Sequence, residues 1–541
     1  MPVDRSPLRC LLLTTLLSVL TALSALNAVA APVPAAQGQV IQTVGEIAPD
    51  WSRLYALYAR SQSPYLWHDA EQHPDIELID SLLNAVDIAY AQGLPASRYH
   101  DVRLSREPDP GVRDLLLSDA LIRLMNDLGR GRDEAAIDRL WYLPRPDIDP
   151  VEQAWLALQQ RAPSERAEVL APRSPQYLAL VDLYGRYRAL LKKGSVQPLQ
   201  LDDLLEPGDQ SVLVPALRER LVQLGDAQPD PLAMETAPDL YDQPLAESLK
   251  RFQARHGLAE DSVVGPKTLA ELNRSLDQRL AQIEVNLERW RWMPRELGQR
   301  YILVSPAGYF LELVENDQVS LYAKTITGRP RRPTPSFQSD LSYLTVNPDW
   351  TVPRRIMRED LLPKVRADIN WLAENQVRVQ QYRDGSWSYV AAEEIDWQAP
   401  GNIRMIQAPG AGNALGQLKL GMENPYSIYL HDTPSKYLFD KPLRPFSSGC
   451  VRVEGIEQLA QRLIADSPSM QSWFDAAQAG GEKRIRKLPQ SVPVYLVYLS
   501  AWVDPEGGAQ FRPDIYGLDA QLQARLDAAA PISDTQVAVH K

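Results

Sequence analysis

Cysteine is nearly missing from this chain: Cys10 and Cys450 are the two thiols in 541 residues. Two cysteines so far apart exclude a disulfide framework. Neither a second nearby cysteine nor a histidine-rich cluster is present, so four zinc ligands cannot be assembled from an obvious motif. The stretch Gly410-Ala411-Gly412-Asn413-Ala414-Leu415-Gly416 brushes past the dinucleotide fingerprint, but its last glycine comes one position late. No metal and no cofactor is therefore implied. Positive charge is also in deficit. Lys and Arg total 57 against 69 Asp and Glu, a formal net charge of -12, which argues against nucleic acid as a partner. No internal repeat is visible, and no long apolar run follows residue 31.

What the chain does have is ordinary for globular folds: 45% hydrophobic and 23% charged residues, with 44 prolines that predict many rigid loops. The length allows about three domains. At the N-terminus, Arg5 and Arg9 precede an uncharged stretch from Cys10 to Ala31, leucine-rich between Leu11 and Leu26, and Ala28-Val29-Ala30 offers small residues at cleavage spacing. Residues 1–31 read as a signal peptide that is cleaved, or else kept as an inner-membrane anchor, since about 20 apolar residues span a bilayer. Cys10 precedes the apolar run and is not placed for lipid attachment. Export to the periplasm is the expectation. There an unpaired thiol is oxidised or paired unless it has a use, which directs attention to Cys450.

Residues 44–206 read as a helical scaffold. Leu180, Tyr184, Tyr187 and Leu191 keep a helical register behind Ser174-Pro175 and before Lys192-Lys193-Gly194. Residues 207–273 form a compact unit of three short helices, striped by Leu217, Leu221 and Leu224, by Leu245, Leu249 and Phe252, and by Leu269 and Leu272. Phe252-Gln253, His256-Gly257-Leu258, Val263-Val264-Gly265 and Thr268 make this unit resemble the peptidoglycan-binding domain found on many cell-wall enzymes. Ser262 stands where that family usually has glycine, and His256 reads as a helix-end residue. A connecting helix at 274–299 carries Leu276, Leu280, Ile283, Leu287 and Trp290 in register and ends at Pro294.

After Gln299 the period shortens to that of strands. Tyr301–Val304, Tyr309–Val314 and Val319–Ile326 predict a β meander, and Tyr343–Val346, Ile403–Ile406, Ser427–Leu430 and Val494–Tyr498 are further strand candidates. The catalytic domain is expected at 300–505. Its insert at 354–424, helical around Arg358–Glu374, is placed to act as a lid. A C-terminal extension and tail follow at 506–541. The fold class is multidomain α+β, with helical scaffold, three-helix unit and mostly-β catalytic domain.

The chemistry gathers in two segments: Ile428-Tyr429-Leu430-His431-Asp432-Thr433-Pro434, and Ser447-Ser448-Gly449-Cys450-Val451-Arg452-Val453. His431 follows a strand-like run and sits at a strand end. Cys450 is expected in a glycine-containing loop just before a helix striped by Ile456, Leu459 and Leu463. A helix N-terminus and a protonated imidazole would both favour thiolate. Gly449 permits a tight turn that aims amide N–H groups at an oxyanion, and His431 is the acid/base.

These two segments resemble the catalytic core of the L,D-transpeptidases, the YkuD-type domain, and in particular its large Gram-negative members with scaffold and peptidoglycan-binding domains. The resemblance runs from about Leu54 to Leu526. It is supported by Thr327-Gly328-Arg329-Pro330, Pro333-Thr334-Pro335, Asn347-Pro348-Asp349-Trp350, Pro409-Gly410, Asn413-Ala414-Leu415-Gly416 and Lys419. Shorter relatives carry histidine where Ser448 stands.

The resemblance implies a substrate and a set of roles. Cys450 attacks a peptidoglycan tetrapeptide stem as donor, D-Ala leaves, and an acceptor stem resolves the thioester into a 3→3 cross-link. His431 is acid/base, the Asp432 backbone carbonyl orients it, and Ser448, Gly449 and Cys450 stabilise the oxyanion. Arg452 organises the loop or meets a stem carboxylate, and Tyr429 lines the pocket. Arg329, Arg331 and Arg332 either meet acidic stems or are exposed loop charges. Cell-wall synthesis proteins are candidate partners. Two other readings stay open on sequence alone: hydrolysis by water as an L,D-carboxypeptidase or endopeptidase, and a non-catalytic wall-bound scaffold.

Overall fold

The structure, a computed structural model, describes residues 49–69, 71–100, 107–132, 138–194, 197–201 and 203–528. The signal segment 1–31 and the tail beyond residue 528 lie outside them. Among the described residues no helix is long and apolar enough to cross a membrane. Contacts divide the chain into two compact units, one of residues 49–132 and 147–172, the other of 138–146 and 173–526.

The first unit is helical because its helix starts are well capped and its stripes are apolar. Asp50, Asp75, Asp109 and Asp149 each accept a backbone N–H at a helix N-terminus, and Pro110, Pro150 and Pro163 occupy first-turn positions where a missing N–H costs nothing. Helix Pro110–Arg130 is the central member, with Leu116, Leu117, Ala120, Leu121, Leu124 and Leu128 buried. Its buried Asp114 accepts from the Tyr58 hydroxyl at 2.5 Å, from the Trp67 N–H at 2.9 Å and from His68 Nδ1 at 2.8 Å. A buried carboxylate so surrounded is a structural pin.

The second unit begins with a correction. Helix Pro175–Lys192, expected to belong to the scaffold, instead shares a core with the connecting helix Leu276–Arg291: Tyr177, Leu180, Tyr184 and Tyr187 pack with Leu280, Ile283, Leu287 and Trp290. The connecting helix starts at a capping box formed by Ser275 and Gln278.

Between the two lies the peptidoglycan-binding-like unit, whose core of Leu217, Leu221, Leu245, Leu249, Phe252 and Leu272 follows the predicted stripes. A further short helix, Pro231–Thr236, accompanies the three expected ones. Ser262 adopts φ +59°, the conformation glycine would give freely. Its N–H donates to Gln253 Oε1 at 2.9 Å, its hydroxyl to the Ala246 carbonyl at 3.0 Å, and its carbonyl accepts from Tyr241 at 2.6 Å. His256 is buried at a helix end, its Nδ1 donating to the Phe252 carbonyl at 2.8 Å.

The region expected to be catalytic is a closed eight-stranded barrel. In chain order its strands are β1 (Arg300–Ser305), β2 (Phe310–Glu315), β3 (Gln318–Ile326) and β4 (Phe337–Val346). After the insert, which holds β5 (Trp350–Thr351), β6 (Val377–Arg383), β7 (Ser386–Val390) and β8 (Ile403–Gln407), come β9 (Leu418–Met422), β10 (Leu430–His431), β11 (Val451–Val453) and β12 (Arg484–Leu496). The order around the barrel is β1-β12-β4-β9-β10-β11-β3-β2, with β1–β12 and β10–β11 parallel. Ile302, Leu313, Leu344, Leu420, Leu430 and Val451 fill its interior. A hairpin of β13 (Ala501–Val503) and β14 (Ala509–Phe511) follows, so the domain boundary expected at 505 falls inside a hairpin.

The insert also differs from expectation. It is a four-stranded sheet, β5-β8-β6-β7, backed by short helices and a π-helical turn at Met357–Leu361, with its own core of Val352, Met357, Leu361, Val379 and Met405. The strand at Ile403, which falls within the expected insert range, belongs to the insert sheet. Conversely β9, inside the expected insert range 354–424, is a barrel strand. Alternation of apolar residues identifies a strand but not the sheet it joins.

Candidate active site

Period-two geometry builds the site. β10 lies between β9 and β11, with His431 opposite Lys419 on one side and opposite Arg452 on the other. Leu430, Val451 and Leu420 point into the barrel core. The alternate residues Tyr429, His431, Cys450, Arg452 and Lys419 therefore share the other face. Tyr429, His431, Cys450 and Arg452 line a cleft of about 830 Å³, together with Ser448 and Gly449. The structure thus brings these six to one cleft, while Asp432, the remaining expected residue, is not among those lining it. Cys450 is the free cysteine among the described residues, partly reachable by solvent, and its Sγ faces the Ser427 carbonyl at 3.6 Å.

His431 is buried, and its Nδ1–H donates to the Asp432 carbonyl at 2.5 Å. That bond places a proton on Nδ1, and the Leu415 carbonyl also meets the ring. Burial first, then the neighbouring Arg452 guanidinium, lowers the imidazole to about 3, with the Asp432 carbonyl opposing. The Asp432 side chain has a separate task. Its Oδ2 accepts from the Gln417 N–H at 3.0 Å and its Oδ1 pairs with Lys436. Gly416 turns against it at φ +63°, where a Cβ would overlap the carboxylate, which accounts for the glycine ending Asn413–Gly416.

The loop bearing the thiol departs from expectation in one respect that matters. Cys450 is followed by β11, and the helix begins only at Ile456 behind Gly455. The helix N-terminus is not adjacent to the sulfur and adds little to thiolate formation, because that effect fades within the first turn. Burial pushes the Cys450 thiol up. The Tyr429 backbone and hydroxyl, then Lys419 and Arg452, pull it the other way.

The loop itself is gripped from below. Gly449 has φ +120°, and Thr334 Oγ1 donates to its carbonyl at 2.8 Å while accepting from the Gly328 N–H at 2.9 Å. Gly328 approaches the backbone of 332–334 so closely that a Cβ would lie 2.3 Å from the Arg332 carbonyl oxygen. Tyr516, from the C-terminal extension, accepts from the Thr334 N–H at 3.2 Å and donates to the Gly328 carbonyl at 2.6 Å. The Gly449 N–H donates to Ser447 Oγ at 3.1 Å, so this expected oxyanion donor is occupied. Among the described residues no acceptor meets the N–H of Ser448 or Cys450.

Sequence reasoning missed two parts of the site. Lys419 was seen only as part of a motif. Its Nζ lies 4.0 Å above the Tyr429 ring, and burial lowers its basicity. Arg332 was one of three loop arginines. It is buried, donates to Ser448 Oγ at 2.9 Å, and pairs with Glu359 and Asp360 of the insert. The insert therefore touches the catalytic loop through one guanidinium. Of the other two arginines, Arg329 donates to the Ser447 carbonyl at 3.2 Å, and Arg331 is exposed.

Comparison with known proteins agrees with this architecture. Residues 299–469 match the family model described as L,D-transpeptidase catalytic domain, YkuD. Residues 52–183 match one described as Scaffold domain, and residues 210–272 one described as "Putative peptidoglycan binding domain". A Haemophilus influenzae protein named "Putative L,D-transpeptidase" is 35% identical over 251 residues, covering 46% of this chain and 49% of the relative. The chain thus spans about half the length of that curated relative. The crystal structure of the L,D-transpeptidase from Xylanimonas cellulosilytica covers 55% of this chain and 98% of its own at 16% identity, with a TM-score of 0.19. From N- to C-terminus, then, the chain matches in turn the models of a scaffold domain, a peptidoglycan-binding domain and the YkuD L,D-transpeptidase catalytic domain.

Proposed function

We propose that this protein is a periplasmic L,D-transpeptidase that forms 3→3 peptidoglycan cross-links through a thioester on Cys450. The observation that carries this reading is the shared strand face: a reachable thiol and a buried imidazole, oriented by the Asp432 carbonyl, line one cleft. His431 Nε2 accepts the thiol proton. The sulfur attacks the carbonyl at the L-centre of the third stem residue, and the oxyanion is received by the free N–H groups of Ser448 and Cys450. The C–N bond to D-Ala then breaks, His431 returns the proton to the departing amine, and a thioester remains. A side-chain amine of a neighbouring stem attacks that thioester, giving up its proton to His431 and releasing the thiol. The peptidoglycan-binding domain would hold the wall near the cleft.

The test is incubation of purified protein with disaccharide tetrapeptides, followed by mass spectrometry. Dimers that have lost one D-Ala, and that disappear in Cys450→Ala, are the expected result. Tripeptides alone would assign hydrolysis instead. Unchanged substrate, with no carbapenem adduct on Cys450, would refute the enzymatic reading.

A further inference from the structure

A nucleophilic sulfur needs a counter-charge, and neither of the two expected from the sequence is present at rest. The helix starts after β11, and His431 is held neutral. The strand register supplies another. Lys419 and Arg452 flank His431 from β9 and β11, on the face that carries Cys450. Neither cation has a carboxylate within salt-bridge distance among the described residues, and Arg452 Nε is buried without a partner. The acids nearby already have cations of their own: Asp432 pairs with Lys436, and Asp349 with Lys483 at 2.5 Å. A half-buried ammonium on a barrel strand is costly unless an anion answers it. The acidic groups left here are the Cys450 thiol and phenols, among them that of Tyr429, over whose ring the ammonium sits.

We propose that Lys419, assisted by Arg452, is the counter-charge of the Cys450 thiolate, with His431 carrying the proton. The inference rests on Cys450 being the reactive thiol of the proposed function. The proton leaves Sγ for His431 Nε2. The imidazolium so formed lies between two cations, which favours its passing that proton onward to the departing amine nitrogen as the C–N bond breaks. Lys419 acts through its field and through Tyr429, so it is a positioning residue. The other groups facing this cluster are Tyr343 from β4, Tyr429 and His431 from β10, Arg329 and Tyr437 from the adjoining loops, and the Asp349–Lys483 pair.

Alkylation of the full chain by iodoacetamide, followed across pH with the adduct mapped to Cys450, tests this. Lys419→Met is expected to raise the alkylation midpoint by about one pH unit, so that alkylation well below the midpoint slows about tenfold. Lys419→Arg should restore the wild-type midpoint, and Lys483→Met should leave it in place. A midpoint unmoved in Lys419→Met, or moved equally in Lys483→Met, overturns the proposal. If the Met variant loses its native circular dichroism, Lys419→Gln is read by the same criterion. The assay needs no wall substrate. An unreactive wild-type Cys450 would sink the proposed function, whereas a reactive thiol indifferent to Lys419 sinks only this inference.

Discussion

Replacing Thr334 by valine changes a hydroxyl into a methyl group of nearly equal size, at a site 1% exposed. It removes the donor by which the loop after β3 holds the Gly449 carbonyl of the thiol loop, and the acceptor for the Gly328 N–H within its own loop. Each buried group left unpaired costs about 1–3 kcal/mol. With partial relaxation, the pair should cost roughly 2–4 kcal/mol of local stability, and each 1.4 kcal/mol is a factor of ten. Hydrogen exchange read by mass spectrometry on peptides covering 325–336 and 444–452 should therefore quicken by roughly 30-fold to several hundred-fold. The Ser447 N–H, which donates to the Thr327 carbonyl at 2.8 Å, lies within the second peptide. Acylation of Cys450 should slow in parallel, because the Gly449 carbonyl loses the side-chain donor that holds it beside the thiol. Thr334→Ser keeps the hydroxyl and should stay near wild type. If Thr334→Val exchanges within threefold of wild type and acylates normally, the idea that Thr334 holds the thiol loop in place is wrong.

Two further outcomes follow from packing and burial. In Gly421→Ala the added Cβ would lie 2.0 Å from Tyr343 Cζ, so the ring must move, at a cost of about 1–3 kcal/mol in a urea melt; Tyr343→Ala in the same chain should recover most of that loss. Glu312 on β2 is buried with Oε2 unpaired, and burial pushes its carboxyl up to about 7. The folded state therefore keeps a proton that the unfolded chain releases near 4.5, so this group's contribution to stability is present below that value and is lost as pH rises toward 7. Glu312→Gln should flatten that part of the melting-temperature profile and exceed wild type at pH above about 7; an unchanged slope would show that Glu312 is not protonated in the fold.

The amino-acid sequence alone determined a good deal of this protein. Helix periods, glycine stops and proline starts placed the helical segments, and the stripes of Leu217 and Leu249 became buried cores. Alternation marked the first strands. The rarity of cysteine and the strings around His431 and Cys450 pointed to the site, because residue type and local spacing are written in one dimension. Partnership between distant segments is not. Helix Pro175–Lys192 joined the connecting helix, and β9, inside the expected insert range, joined the barrel, since an apolar face specifies that it will be covered but not by what. Only the folded barrel set Lys419 beside His431, put β11 between the thiol and its helix, and seated Arg332 between Ser448 and the carboxylates of the insert. Electrostatics fall off with distance through space and not along the chain. The sequence could therefore single out the candidate nucleophile, while the charges around it had to await the strand register.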